Sequence, residues 1–347
     1  MRKKPRPKRR YRLRNWREYT TARRQRGSLT LWCDAAALAS WVVRERSGRR
    51  GRSRTYSDAA ITCLLTLQAV FHLSLSATVG FARSVLPHLS RRAAALPIPD
   101  EATLSRRRRT LAVALPVRPP PGPLHLVVDT TGLKVYGEGE WKVRQHGWAK
   151  HRTWVKLHLA VDADTQELRV VGVTPARVAD ATYFPTLLAG EAAPLAQVTG
   201  DGAYEGRRCY AAVAARPEHP RAVFPPRRER RAGRPPRPRR DRATTRGTYR
   251  GYRLHVWQHG NCAAPPLDRD QHVRRIRRVG RRAWKREVGY HRRSLVETAV
   301  FRLKTLFGPS VPARSLAAQT TTLRLRAAAL NRMTALGMPD SYPVVVA

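Results

Sequence analysis

The sequence predicts an α/β protein in which a helical N-terminal domain precedes a domain built on a mixed β-sheet. Apolar runs that follow helix-capping residues dominate positions 28–115. A proline-rich stretch, PVRPPPGP at 116–123, then separates this part from a region of alternating apolar strands and short helices. Strands that alternate with helices are typical of an α/β layer, and the proline-rich stretch is a natural hinge between domains.

Charge is the strongest compositional signal. The chain has 347 residues, of which 42% are hydrophobic, so it can bury a core in each of two domains. It carries 68 Lys and Arg against 24 Asp and Glu, a formal net charge of +44. Such a chain repels itself unless a polyanion neutralises it, which predicts nucleic acid as the partner. An anionic membrane surface is the weaker alternative.

Cysteine usage and hydropathy indicate a reduced, cytoplasmic setting. The four cysteines form no CxxC pair, so neither a zinc site nor a disulfide framework is expected. Residues 59–82 carry no formal charge but contain too many polar side chains for a membrane span. They are predicted to form two buried helices with a break near LSLS, so no membrane partner is expected.

The N-terminal segment is predicted to be a basic arm. Residues 1–27 contain 13 Lys and Arg and a single acid, Glu18. A run of this composition does not fold alone and is typical of an arm that binds a phosphate backbone.

Residues 28–115 are predicted to form a helix-turn-helix-like DNA-binding domain. Ser57 or Asp58 can cap one helix, and Asp100 can cap a later, basic helix. The same pattern fits any small helical bundle with a basic surface, so this interpretation depends on the rest of the chain. The candidate DNA-contacting residues on the basic helix are Arg106, Arg107 and Arg108.

Residues 124–226 and 286–335 are predicted to form the mixed-sheet domain, interrupted by an Arg-rich insertion at 227–285. The predicted order is a strand, a hairpin, a helix, a strand, a helix, a strand and a last helix. The predicted strands cover 124–129, 153–162, 167–176, 196–201 and 221–226, and the helices 180–190 and 205–216.

Three carboxylates are candidates for a metal site. Asp129 and Asp201 each end a predicted strand, and Glu297 lies on the last helix. Strand ends of an α/β sheet meet at one edge, and converging carboxylate oxygens suit a divalent cation that acts on phosphate. An Asp after a strand is more often a turn former. Asp162 also ends a strand and remains the main alternative, with Asp164 and Asp180 as further turn or cap acids.

The segment GYHRRSLVETAVFRLK, residues 289–304, places one acid among several cations. At about 100° per residue, Tyr290, Arg293, Glu297 and Lys304 share roughly 60° of a helix surface. The apolar side chains lie opposite and can pack on a core. A basic amphipathic helix in which Glu297 pairs with Arg293 at i−4 explains the pattern equally well.

The sequence resembles the DDE transposases of bacterial insertion sequences, in the branch named for its YREK signature. The signature is matched in full by Tyr290, Arg293, Glu297 and Lys304, and the segments DTTGLKVYGEGEWKVRQHG and TGDGAYEGRRCY resemble those that hold the first two catalytic acids. NWREYTTARRQRGSLTLW and LRAAALNRMTALG extend the resemblance over most of the chain. Residues 230–264 match nothing in the family.

The resemblance implies an RNase H-like catalytic domain with Asp129, Asp201 and Glu297 as metal-binding catalytic residues. It implies Mg²⁺ as cofactor, with Mn²⁺ as a substitute ion and two ions per site. Tyr290, Arg293 and Lys304 are then expected to hold DNA near the metal. A homodimer on paired transposon ends is also implied.

The sequence therefore predicts a transposase that cuts and joins DNA at terminal inverted repeats. Two alternatives stay open. One is a metal-dependent nuclease without strand transfer, and the other is a catalytically decayed DNA-binding protein. Joined DNA products would distinguish a transposase from the nuclease. Absence of metal-dependent cutting would indicate the decayed DNA-binding protein.

Overall fold

The chain divides into two units, each with its own core. The computed structural model describes residues 10–43, 54–135, 153–226, 248–249, 252–253 and 268–344. The first unit contains residues 1–116 and 325–347, and the second contains residues 117–324. The division after Pro116 falls at the start of the proline-rich stretch 116–123.

The strands lie mainly in the second unit. The described strands are β1 (Arg10–Leu13), β2 (Leu124–Val135), β3 (Trp154–Asp162), β4 (Leu168–Pro175), β5 (Leu195–Thr199), β6 (Arg221–Val223), β7 (Thr248–Tyr249), β8 (Tyr252–Arg253), β9 (Ser310–Val311) and β10 (Ser341–Val344).

The helices are divided between both units. The described α-helices are α1 (Trp16–Gln25), α2 (Leu29–Trp32), α3 (Ala35–Ala39), α4 (Asp58–Val70), α5 (Leu75–Leu89), α6 (Arg91–Ala94), α7 (Glu101–Arg108), α8 (Asp180–Ala189), α9 (Arg207–Ala214), α10 (Asp268–Val279), α11 (Arg281–Glu287), α12 (Ser294–Phe307) and α13 (Leu316–Leu336). The predicted domain boundary placed all of α13 in the sheet domain, but its residues from Leu325 onward belong to the first unit.

The first unit is mainly helical, as predicted, and two of its helices start at predicted caps. Ser57 accepts a hydrogen bond from the N–H of Ala60, 3.1 Å away, so Ser57 rather than Asp58 caps α4. Asp100 caps α7 in the same way. α4 and α5 form a bent pair, at 109° to each other, that passes a length and composition test for a membrane span only when taken together. No single helix among the described residues passes that test.

The predicted basic arm is partly folded. From Arg10 the chain forms β1, which pairs antiparallel with β10, and α1 follows directly. A basic run that cannot fold alone is thus ordered by strand pairing with the other end of the chain. Residues 1–9 lie outside the described residues.

The second unit has an RNase H-like α/β fold, as the sequence predicted. Its sheet has the order β4-β3-β2-β5-β6, with β9 beside the end of β2. β2, β3 and β4 are antiparallel neighbours, whereas β2, β5 and β6 run parallel. The hairpin precedes the parallel crossover strands, as predicted.

The two faces of the sheet are covered differently. Leu124, Leu126 and Val128 of β2 share a core with α8 and α9, including Phe184 and Tyr210. Because side chains alternate along a strand, Asp129 and Thr131 point to the opposite face, where α12 packs. The candidate acid is therefore on the helix α12 side of the sheet.

The C-terminal part of the predicted Arg-rich insertion belongs to the core of the second unit. Asp268 accepts a hydrogen bond from the N–H of Ala222 at 2.7 Å, and His272 Nε2 donates to the carbonyl of Ala222 at 2.8 Å. Trp284 is fully buried against Val223. α10 and α11 thus cover the edge strand β6. The basic sequence around these two short helices did not indicate that they belong to the core. Residues 227–247 lie outside the described residues.

Candidate active site

Asp129 lies within β2, whereas the sequence predicted it as the last residue of that strand. β2 continues to Val135 because it stays hydrogen bonded to β3 on one side. On the other side, pairing with β5 stops at Val127 and Thr199. Asp129 is therefore the second residue beyond the last paired position, beside the carboxyl end of β5, and its Oδ1 accepts the N–H of Thr130 at 2.8 Å.

Asp201 is reached two residues after β5 ends. Gly200, between them, packs so closely that a Cβ would come within 2.8 Å of the Tyr204 ring and 3.0 Å of Val128. Only glycine fits there. The Oδ1 of Asp201 accepts the N–H of Ala203 at 2.8 Å and caps a 3₁₀ turn, Gly202–Tyr204. Because β2 and β5 are parallel neighbours, Asp129 and Asp201 occupy the same edge of the sheet.

Glu297 is in the first turn of α12. The sequence predicted one continuous helix, but Tyr290–Arg293 is a 3₁₀ turn and α12 begins at Ser294. The side chain of Glu297 is half exposed and forms an i,i+4 ion pair with Arg293. The pair anticipated as the alternative explanation therefore exists, and the helix dipole also favours an anion at this position.

Asp201 and Glu297 act electrostatically on Asp129. The pKa of Asp129 is raised above its ordinary value, first by burial and then by the charges of Asp201 and Glu297. The Thr130 hydrogen bond and the nearby Arg293 guanidinium oppose this rise. Asp129, Asp201, Glu297 and Arg293 thus share one local field, although they come from two strand ends and a helix.

Tyr290 lies close to Asp201, Arg293 and Glu297. Its ring lies 6.0 Å from the ring of Trp284, and Lys285 Nζ lies 5.0 Å from its centroid. The pKa of Tyr290 is raised, chiefly by burial, and Arg293 opposes the effect of the carboxylates. The hydroxyl stays protonated at neutral pH and can donate a hydrogen bond.

Lys304 lies on the face of α12 that meets β2. Its Nζ donates to Thr131 Oγ1 at 2.6 Å. Thr131 shares a face of β2 with Asp129 because the two are separated by one residue. The structure thus places Tyr290, Arg293, Glu297 and Lys304 along the same side of the sheet as Asp129.

A buried polar chain lies on the other face of β2, and the sequence analysis did not identify it. Thr130 Oγ1 lies 2.9 Å from both His158 Nδ1 and the Tyr204 hydroxyl. His158 Nε2 lies 2.8 Å from Thr174 Oγ1. If Tyr204 donates to Thr130, Thr130 to Nδ1, and Nε2–H to Thr174, the donors of Tyr204, Thr130 and His158 are all paired. This chain ties the segment that carries Asp201 to the strand that carries Asp129.

A sequence signal for this chain existed. His158 is a polar residue in the middle of an otherwise apolar run of β3, where it is almost fully buried. Burial lowers its pKa to about 4, so the ring is neutral at physiological pH. A histidine at such a position needs hydrogen-bond partners, which the sequence does not specify.

The competing acids have other partners. Asp162 accepts from the N–H of Asp164 at 3.0 Å and from the hydroxyl of Thr165 at 2.7 Å, so it shapes the turn between β3 and β4. Asp164 pairs with Arg292, and Asp180 pairs with Lys156. These acids serve turn and ion-pair functions, as expected of a strand-end Asp without a catalytic function.

The predicted DNA contacts on α7 are only partly available. Arg106 is exposed, but Arg107 pairs with Asp58 and donates to the carbonyl of Tyr56. Arg108 is buried, with 6% of its surface exposed, and donates to Gln68 at 2.7 Å. The expectation that all three arginines face DNA is therefore wrong for Arg107 and Arg108 in this structure. Both guanidinium groups are used to pack α7 on α4.

The donor set fits a hard divalent cation. Asp129, Asp201 and Glu297 supply only oxygen ligands, which Mg²⁺ and Mn²⁺ prefer. Burial raises the pKa of Asp129 most, the charges of Asp201 and Glu297 add to the rise, and a bound cation would offset both effects. Within the described ranges, no three His, Cys, Asp or Glu side chains are close enough to hold a metal together. Asp201 and Glu297 are near enough to Asp129 to act on it electrostatically, but the Glu297 side chain forms an ion pair with Arg293.

Comparison with protein families connects this arrangement to a known one. A family model described as a transposase DDE domain matches residues 120–332, which is more than half of the chain. A second model with the same description matches residues 24–138. No solved structure gives a significant match. Asp129, Asp201 and Glu297 all lie inside the longer match, while membership of the YREK branch stays a prediction.

Proposed function

The chain belongs to the DDE transposase family, and from this premise we propose that it binds the terminal inverted repeats of an insertion sequence and cuts and joins DNA there. The observation that carries the proposal is the common field of Asp129, Asp201 and Glu297 at one edge of the sheet. Family members generally use divalent metal ions. We assign the three carboxylates as the ligands of Mg²⁺, with two ions per site and Mn²⁺ as a substitute.

The chemistry proposed is phosphoryl transfer. Water adds to the phosphorus of a phosphodiester at the element's end, the P–O3′ bond breaks, and a 3′-OH and a 5′-phosphate result. The 3′-OH then attacks the phosphorus of a target phosphodiester at the same site, so that a new P–O bond joins the element to the target while the target's own P–O3′ bond breaks and releases a target 3′-OH. A divalent cation held by these residues would activate the attacking oxygen and offset charge on the phosphate.

The protein side chains have separate functions in this proposal. Glu297 must exchange its ion pair with Arg293 for the cation, which releases the Arg293 guanidinium to bind a phosphate. Lys304, held by Thr131, supplies a second cation on the same face. The Tyr290 hydroxyl donates to a phosphate oxygen. We also propose that the protein acts as a homodimer on paired ends, on chromosomal DNA in the cytoplasm.

The test uses the element's own ends, found as short inverted repeats that flank the reading frame. Asp129→Asn, Asp201→Asn and Glu297→Gln should each reduce Mg²⁺-dependent cleavage at least a hundredfold while duplex affinity changes by a factor of a few, because each removes a ligand and not a phosphate contact. Glu101→Gln, an exposed glutamate in α7, is the matched control and should cleave normally.

The products decide between the alternatives. Joined products support a transposase, and cleavage without joining supports a nuclease. Wild-type protein that binds duplex DNA but shows no metal-dependent cutting would assign the chain to the decayed DNA-binding class. Full cleavage by any one carboxylate variant would remove that residue from the site.

A further inference from the structure

We propose that α10 and α11 present a second DNA-binding surface, the arginine face, that binds the phosphate backbone of duplex DNA beside the active site. The proposal rests on the proposed action on DNA and specifies where the duplex is held. The residues that define the arginine face are Arg274 and Arg278 on α10 and Arg282 and Arg286 on α11.

The four side chains are exposed and have no partner in the part of the chain that the structure describes. Among the described residues, no acid or carbonyl pairs with any of these four guanidinium groups. Nearby arginines differ, since Arg275 pairs with Glu287 and Arg269 pairs with Glu205. Like charges four residues apart on a helix repel each other, so the arrangement reduces stability in the free protein. Bound phosphates would remove that repulsion.

The arginine face is built on fixed elements. Asp268 and His272 attach α10 to both backbone groups of Ala222 on β6. Arg275 and Glu287 join α10 to α11 through two hydrogen bonds of 2.8 and 3.0 Å. A run of arginines on a tail samples many directions, whereas these are held in one geometry before binding, which lowers the entropy cost of binding.

The spacing of the arginines along each helix suits the phosphate backbone of DNA. Four residues of α-helix rise about 6 Å, so Arg274 and Arg278 stand one above the other, as do Arg282 and Arg286. Phosphates of one strand recur about every 3.4 Å along a duplex axis. Side chains as long as arginine can bridge the difference and reach separate phosphates.

The helix α11 also packs against the candidate active site. It contacts Tyr290 twice, through the Trp284 ring at 6.0 Å and through Lys285 Nζ at 5.0 Å. Tyr290 in turn lies in the field of Asp201, Arg293 and Glu297. Arg282 and Arg286 lie on the exposed side of α11, away from Trp284, so a duplex bound there is held on a helix that packs against Tyr290.

The experiment compares two quadruple variants of the full chain. The first changes all four arginines of the arginine face to Gln. The matched control removes the same charge from the same unit through exposed arginines that lack a partner among the described residues, namely Arg177, Arg207, Arg208 and Arg314. Affinity for a labelled duplex of about 30 base pairs is measured against KCl concentration in EDTA, so that no cutting occurs.

The expected result is a change in the salt dependence. Each lost phosphate contact lowers the slope of log K against log salt by about 0.9, so four contacts give a decrease of about 3.6. The control should change the slope by less than about 1. If the quadruple variant does not fold, Arg274→Gln with Arg278→Gln should lower the slope by about 1.8.

Equal decreases in both variants would show that only net charge matters and would overturn the inference, as would an unchanged slope in the arginine-face variant. If either result is found while the carboxylate variants still lose cleavage, the proposed function is retained and the proposed DNA binding by the arginine face is rejected. If the wild-type protein binds no duplex at all, both fail together.

Discussion

The hydroxyl of Thr130 is the shared member of the buried polar chain, and its removal tests whether that chain holds the active-site strands together. Thr130→Val keeps the shape of the side chain but leaves His158 Nδ1 and the Tyr204 hydroxyl without their partner. Each buried polar group without a partner costs about 1–3 kcal/mol. Thr130→Val should therefore lower the free energy of unfolding by about 2–6 kcal/mol.

Tyr204→Phe is the informative comparison. It removes one end of the chain, keeps the ring packed against Phe184 and Phe224, and leaves Thr130 bonded to His158. Its cost should be about 1 kcal/mol, the usual net value of one hydrogen bond. Thr182→Val, at an exposed position on α8, controls for the change of side chain and should stay within about 0.5 kcal/mol of the wild type.

Urea unfolding of the metal-free protein, followed by circular dichroism, measures these differences through the transition midpoint. Since the chain has two units, the transition that Thr130→Val shifts should be the one that Tyr204→Phe also shifts. Thr130→Ser retains the hydroxyl and should recover most of the loss. If Thr130→Val is no less stable than Tyr204→Phe, the inference that the Thr130 hydroxyl pairs with both His158 and Tyr204 is wrong.

The succession of strands along the chain could be predicted from the sequence because the alternation and turn patterns that mark them are local. Alternation in TWVKLHLAVD, the turn DADTQ and the returning strand identified the β3–β4 hairpin, and the structure has it at Trp154–Asp162 and Leu168–Pro175. The position of Asp129 within β2 could not be predicted the same way. The strand continues because β3 extends alongside it, and that pairing is a nonlocal interaction.

Nonlocal contacts also explain the other differences. The basic composition of residues 268–287 suggested an insertion, yet Val273, Ile276 and Trp284 are buried in the second unit. Their spacing of three and eight residues gives an apolar stripe too narrow to stand out among the arginines. Cys33 and Cys63, thirty residues apart in the chain, are buried with their sulfur atoms 3.0 Å apart, which no spacing rule would indicate.

Two remaining predictions concern ionisation. Asp129→Asn should raise the melting temperature of the metal-free protein near neutral pH and abolish its stabilisation by Mg²⁺, because the folded state raises the pKa of Asp129 and so disfavours its charged form as pH rises. A lower melting temperature would contradict the repulsion on which the metal site depends. For His158 the sign is opposite, since burial lowers its pKa from 6.5 to about 4 and the unfolded chain binds the proton more readily. The stability contributed by neutral His158 is complete above pH 6.5 and is lost as pH falls towards 4, with about 2 kcal/mol lost between pH 7 and pH 5. His158→Gln should lose correspondingly less stability over that interval in urea titrations, whereas His88→Gln, at an exposed site on α5, should follow the wild type. Parallel losses in the wild type and His158→Gln would mean that another group in the second unit takes up the proton on unfolding.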